Sequence, residues 1–245
     1  MIQRVFIRES ERFSGSKVKV MMKPILFNTE EVKAILDDRK SATRRAVPSR
    51  ILDNYHNYEE WFKSFKLGAK VYEREFFMYD TPYQIDDILY VPEEWKYFTT
   101  FNPLGYDVEF RDGESLYFEF TDSRRAMEWK EYFDQSENQW QSLYFMPCEA
   151  ARIFLRVTDV RVERLQDITP AGCVKEGLSN DIINQYETKD FPMIFGKAIW
   201  NRSIKSKPLV LYGWYANPWV WVIEFERISK EEAYKRCNNN DRGSI

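Results

Sequence analysis

The chain has 245 residues and a mass of 29.6 kDa, room for one large domain or two small ones. With 36 basic against 39 acidic residues its formal charge is −3. It therefore lacks the global positive field of a protein that grips duplex phosphates along its length, although a local basic patch stays open. No apolar run approaches the roughly 18 residues of a membrane-spanning helix, and the first twenty residues contain no signal-peptide core. Those absences point to a cytoplasmic protein with no membrane partner. The single histidine, His56, excludes chemistry that needs a histidine pair. Cys148, Cys173 and Cys237 are too scattered for a zinc site or a disulfide framework, so no metal or other cofactor is expected. Aromatic residues make up 17% of the chain, which calls for a dense aromatic core or for surfaces that stack flat ligands.

Residues 1–21 read as an N-terminal extension, and the run Val18 to Phe27 as a strand entering the domain. A helix follows, with Asn28 or Thr29 as cap, Glu30 and Glu31 at its positive end, and Val32, Ile35 and Leu36 at helical spacing. Lys40-Ser41-Ala42-Thr43-Arg44-Arg45 comes next as a polar turn or short strand. Residues 50–80 are aromatic and charged together, the pattern of an insertion. Ile88 to Val91 is a short apolar strand. A second insertion, 96–143, holds a hairpin turning at Arg111-Asp112-Gly113-Glu114 and a helical stretch from Ser123 to Phe133. From Ala151 a long strand begins. Thr169 then caps a helix that Gly177 ends. Ile194 to Ile204 reads as a further helix. Trp219 to Glu226 is a β-branched and aromatic strand, and 229–245 reads as a polar tail. Short strands with few helices predict an α+β fold, a small curled β-barrel with flanking helices and a long aromatic-rich insertion.

The polar run after the first helix carries the most chemistry. As an extended strand it would put Lys40, Ala42 and Arg44 on one face, with Ser41, Thr43 and Arg45 on the other. A turn at Ser41 would instead bring Lys40 toward Thr43, an amine beside a hydroxyl, which is a base and its nucleophile. Glu176 stands near a helix end just before Gly177. Arg152, Arg156, Arg161 and Arg164 line the long strand as potential phosphate contacts. Trp95, Trp214, Tyr215 and Trp219 are candidates for base stacking.

Four blocks of sequence, KPILFNTEEVKAILDDRKSATRR, PYQIDDILYVPEEW, MPCEAARIFLRVTDVRVERLQDIT with the following GCVKEGL, and NPWVWVIEF, resemble a phage and prophage group of ASCH-domain proteins in the PUA-like superfamily. They lie within 22–48, 82–95, 144–178 and 217–228, a little over a third of the chain, and assign 22–228 to one domain. A related ASCH branch, the bacterial N4-acetylcytidine amidohydrolase, has a Lys-Thr-x-Thr-x-Arg stretch after its first helix and a glutamate after its central strands. By motif position these fall on Lys40, Ser41, Thr43, Arg45 and Glu176. The resemblance implies Lys40 as base, Thr43 as nucleophile and Glu176 as assisting acid. Ser41, Arg44, Arg45, Trp95, Arg152 and Trp219 would surround the substrate.

Three functions follow as expectations. The first is a hydrolase of a modified nucleoside or base, an amidohydrolase or a ribonuclease-like enzyme. The second is a non-catalytic module for RNA, single-stranded nucleic acid or a modified base. The third is a phage protein in the host cytoplasm that binds a host factor through an exposed aromatic patch of Trp61, Phe62, Phe76, Phe77 and Tyr79. The residues leave the oligomeric state open.

Overall fold

The computed structural model describes residues 22–64, 76–102, 104–120, 123–204 and 207–241; the extension expected over 1–21 lies outside them. In chain order, β1 (Met22–Pro24), α1 (Thr29–Leu36), β2 (Ala42–Ala46), α2 (Ser49–Ser64) and β3 (Ile88–Tyr90) come first. Then come β4 (Trp95–Thr99), β5 (Gly105–Phe110), β6 (Ser115–Glu119), α3 (Ser123–Ser136) and β7 (Phe154–Arg164). The last part holds α4 (Pro170–Lys175), α5 (Asn180–Gln185), α6 (Phe191–Ile194), α7 (Leu209–Tyr212), β8 (Trp219–Ile228) and α8 (Lys230–Asp241). α6 runs directly into a π-helical segment, Phe195–Trp200.

The main sheet has the order β1-β3-β7-β8-β2, with β4-β5-β6 as a separate antiparallel sheet. The fold is thus α+β. The closed barrel expected from the sequence is not formed among the described residues: β1 and β2 are the edges of the main sheet, and no ladder joins them.

β8 works on both faces, as its unbroken apolar run requires. Trp219, Trp221, Ile223 and Phe225 face a core covered by α1 and α2, whereas Val220 and Val222 face the helices that follow β7. β7 shows a change of phase. Leu155 and Val157 enter the first core from odd positions, and Val160 and Val162 enter it from even ones. A β-bulge between Val157 and Asp159 inserts the extra residue that causes the switch. Beyond it, Asp159, Arg161 and Glu163 share the opposite face of the sheet with Val222. Arg44 pairs with that same valine from the other side.

The insertion at 96–143 supplies most of a second core, in which Trp95, Tyr97, Tyr106, Phe118 and Phe133 pack together. The high aromatic content goes mainly into packing: Tyr97 meets Phe133 edge-on at 4.3 Å and Tyr106 stacks on it at 4.1 Å. The polar tail is helical as far as Asp241, because Ala233, Tyr234 and Cys237 dock one side of α8 on this core.

The π-helical segment is held by a close approach. A Cβ at Gly196 would stand 2.0 Å from the Trp214 ring, and Trp200 Nε1 donates to the Tyr212 carbonyl at 2.7 Å. Gly196→Ala should therefore destabilise the protein by about 1–3 kcal/mol through overpacking, seen as a lower midpoint in urea denaturation.

Candidate functional site

The site is built where the exit of α1 meets the end of α4. Asn28 caps α1 in a capping box: its side chain accepts from the Glu31 N–H, and Glu31 Oε2 accepts from the Asn28 N–H, each at 3.0 Å. At the other end Asp38 takes a left-handed conformation with φ 55°. The chain there folds back so that the Lys40 N–H reaches the Ala34 carbonyl. α4 starts at Thr169, whose hydroxyl accepts from the Gly172 N–H, with Pro170 at its first position. It ends on Glu176 as C-cap, followed by Gly177 at φ +89°. An isolated β-bridge joins Lys40 to Glu176, and Ser41 donates its N–H to the Lys175 carbonyl at 2.8 Å. These backbone contacts bring residues 136 positions apart side by side.

The side chains complete the meeting. Lys40 Nζ donates to Glu176 Oε2 at 2.7 Å and to the Glu176 carbonyl at 3.0 Å. Arg44 Nη1 donates to Glu176 Oε1 at 3.1 Å, and its Nε and Nη2 both reach Glu163 Oε1, at 3.0 and 2.5 Å. The side chains of Lys40, Arg44 and Glu176 are only 1%, 2% and 4% exposed. At such burial a charge is tolerated because it is paired. Glu31 Oε1 stands 3.5 Å from the same lysine amine. Beneath them, burial pushes the Cys173 thiol up to about 12, against the opposing pull of Arg44, so this cysteine is no nucleophile at neutral pH.

Of the two arrangements open to the 40–45 run, the structure adopts the extended one. Thr43 is buried and pairs with Ile223, on the sheet face opposite to Arg44. No hydrogen bond joins Thr43 to Lys40 among the described residues. The two still share surroundings. Lys40 Nζ lies 5.7 Å from the centre of the Phe27 ring, and Arg45, on the same strand face as Thr43, lies 5.1 Å from it. Arg45 also donates to the Leu26 carbonyl at 2.5 Å. Ser41 contributes its backbone to the meeting of α4 and β8, donating to Lys175 and accepting from Phe225.

A cleft of about 530 Å³ opens beside this cluster. Glu30, Glu31 and Glu176 line one side, and Ala198, Ile199 and Arg202 from the π-helical segment and its continuation line the other. That volume suits a ligand of nucleoside size. Glu31, Glu163 and Arg202 escape a sequence reading for separate reasons. Glu31 reads as a helix cap, Glu163 reaches Arg44 only because of the bulge, and Arg202 sits in a stretch with no motif.

The remaining candidates lie elsewhere. Trp95 is fully buried in the second core against Tyr97 and Phe133, and so forms no stacking wall. Arg152 is bidentate to Glu93, binds Asp112 at 2.6 Å and covers the Phe110 ring. Trp219 pairs with Phe77 and Arg164 near the end of β2 distant from Lys40. Arg156 and Arg161 are likewise engaged by carboxylates. Trp214 is buried, while Tyr215 is exposed. Within the aromatic patch, Phe77 is fully buried and Phe76 packs against the first core. The side chains of Trp61 and Phe62 lie outside those described.

No family model and no curated protein matches the chain. One solved structure, that of protein EF3133 from Enterococcus faecalis V583 (family-model DUF984), aligns with 96% of this chain and 94% of its own. Its TM-score is 0.36 and its identity 9%. No helix among the described residues is long and apolar enough to cross a membrane.

Gly177 sets how Glu176 is presented. A Cβ there would meet the Ala34 Cβ at 3.1 Å and the Lys40 Cβ at 3.2 Å, in a backbone conformation that L-residues avoid. Gly177→Ala should cost about 1–2 kcal/mol of stability and loosen the Lys40–Glu176 pair. Thermal unfolding, together with the chemical shift of the Lys40 ammonium group, would show both effects.

Proposed function

We propose that the chain is an ASCH-like hydrolase that cleaves the amide of an acylated nucleoside or base. The observation that carries the proposal is the 2.7 Å contact between Lys40 Nζ and Glu176 Oε2, at the wall of a cleft of nucleoside size. A lysine serves as base only after losing a proton, and Glu176 is placed to receive it. The neutral amine then takes the Thr43 hydroxyl proton as Thr43 Oγ1 attacks the amide carbonyl. Thr43 is buried and does not line the cleft, so this step requires the Lys40 side chain to turn toward Thr43 and the wall of the cleft to part there when substrate binds. Glu176 returns its proton to the departing nitrogen of the base. The Lys40 ammonium then passes its proton to the emptied Glu176 carboxylate, the neutral amine deprotonates the water that attacks the acyl carbonyl, and the ammonium so formed returns that proton to the departing Thr43 oxygen. Arg45 lies on the Thr43 face of the strand and would supply positive charge to a developing oxyanion.

The charge arrangement favours this reading over a module that grips nucleic-acid phosphates. Lys40 and Arg44 already satisfy Glu176 and Glu163, and a phosphate would have to displace a buried carboxylate from each. Salt-dependent RNA binding in the absence of turnover would reverse that preference.

Incubation with N4-acetylcytidine should release acetate, and both Thr43→Ala and Lys40→Ala should reduce kcat/KM by at least about a hundredfold. Equal turnover by the wild type and both variants would eliminate the mechanism. Folding of each variant is checked by its near-ultraviolet circular dichroism.

A further inference from the structure

We propose that Glu31 is a positioning residue of the site, a second carboxylate that shares the Lys40 amine with Glu176 and ties its reactivity to the first turn of α1. The inference rests on the reading of Lys40 as the working amine, but it is tested without turnover. The two oxygens of Glu31 do different jobs. Oε2 accepts the Asn28 N–H of the capping box at 3.0 Å, and Oε1 lies 3.5 Å from Lys40 Nζ. The side chain is 17% exposed and lines the cleft. Glu176 lines the cleft too, but at 17% against 4% exposure Glu31 is the more accessible of the two carboxylates that touch the amine.

The distances divide the work. Glu176 at 2.7 Å, bound also through its carbonyl, is enough to hold Lys40 in place. Glu31 adds a further negative charge on the cleft side, at ion-pair range of the amine. The cations nearby are held elsewhere or lie across the cleft: Arg202 is on its opposite wall, and Arg39 donates to Asp37 and the Gly177 carbonyl. Arg44 is taken up by Glu176 and Glu163, and Glu163 is also approached by Arg161 at 3.4 Å. Arg45 stands across the Phe27 ring, and the Cys173 thiol stays protonated. Glu31 and Glu176 are the two carboxylates in ion-pair range of the amine, while Arg44 is shared between Glu176 and Glu163 and Arg161 is held at Glu163. A ligand that donates an N–H to Glu31 from the cleft draws this carboxylate off the amine and leaves the amine one partner fewer. The empty site is thereby kept less reactive than the filled one.

Two substitutions separate the charge from the cap. Glu31→Gln keeps an oxygen for the Asn28 N–H, since glutamine serves in a capping box, but removes the charge beside Lys40. Asn28→Ala removes the side-chain cap and leaves the Glu31 carboxylate in place. The measurement is acylation of Lys40 by acetic anhydride at pH 8, read by mass spectrometry against the exposed Lys197, together with the melting temperature. Glu31→Gln should raise the relative rate at Lys40 by roughly three- to tenfold with little change in melting temperature. Asn28→Ala should lower the melting temperature by roughly 2–5 °C and leave Lys40 within about twofold of the wild-type rate. An unchanged rate in Glu31→Gln would overturn the proposal. So would a rise in both variants that tracks loss of stability, which would mean that the region merely opens. Failure of the wild type to hydrolyse N4-acetylcytidine would remove the hydrolase while the acylation result still decides the role of Glu31.

Discussion

The buried pair between Lys40 and Glu176 is the contact on which the site depends. Neither charge has meaningful access to water, so each is viable only through the other and through Arg44. Removing one partner from such a pair typically costs about 3–5 kcal/mol, because the remaining charge is stranded. The contact also closes a long loop. It pins the chain leaving α1 to the end of α4 and, with the Ser41 and Lys175 backbone bond beside it, sets the wall of the cleft. A buried ion pair is rarely the cheapest way to join two elements, since apolar residues of similar volume do so at least as well. Its presence at the edge of a cleft is a reason to look for chemistry there.

The β-bulge in β7 is the second constraint. One extra residue near Thr158 exchanges the two faces of the strand beyond it, so Val160 and Val162 keep filling the first core while Asp159, Arg161 and Glu163 turn to the other side. On that side Glu163 meets Arg44 across β8, and Arg44 in turn steadies Glu176. Without the bulge the charged residues would point into an apolar core. Packing and electrostatics agree on the irregular strand.

The aromatic residues divide by role. Those of the 96–143 segment and Trp95 form a separate core, fastened by α8. They stabilise a second sheet rather than supplying a stacking surface beside Lys40. The π-helical segment after α6 fills the opposite wall of the cleft and is locked by Trp214 and Trp200. π-Helical turns are commonly retained at functional sites because they aim side chains that a regular helix would misplace. Here they turn Ala198 and Ile199 toward the carboxylates of α1.

The capped first helix, the two long strands, the 111–114 turn and the glycine that ends α4 were all legible in the sequence. They rest on local chemistry: a side chain that satisfies a helix end, alternation along a pleat, a backbone conformation only glycine enters freely. The sequence read β7 as one continuous strand, and the bulge between Val157 and Asp159 came only from the structure. Lys40, Thr43 and Glu176 were candidates from their residue types alone and gained roles only through resemblance, since a lysine after a helix and a glutamate before a glycine are ordinary in isolation. The tertiary structure alone decided that Lys40 faces Glu176 rather than Thr43, that Glu31 joins them, that Trp95 and Trp219 serve cores, and that the main sheet stays open. Each of these depends on which distant segment arrives alongside. Burial then selects the partner, because a charge removed from water keeps only the counter-charge that packing brings within reach.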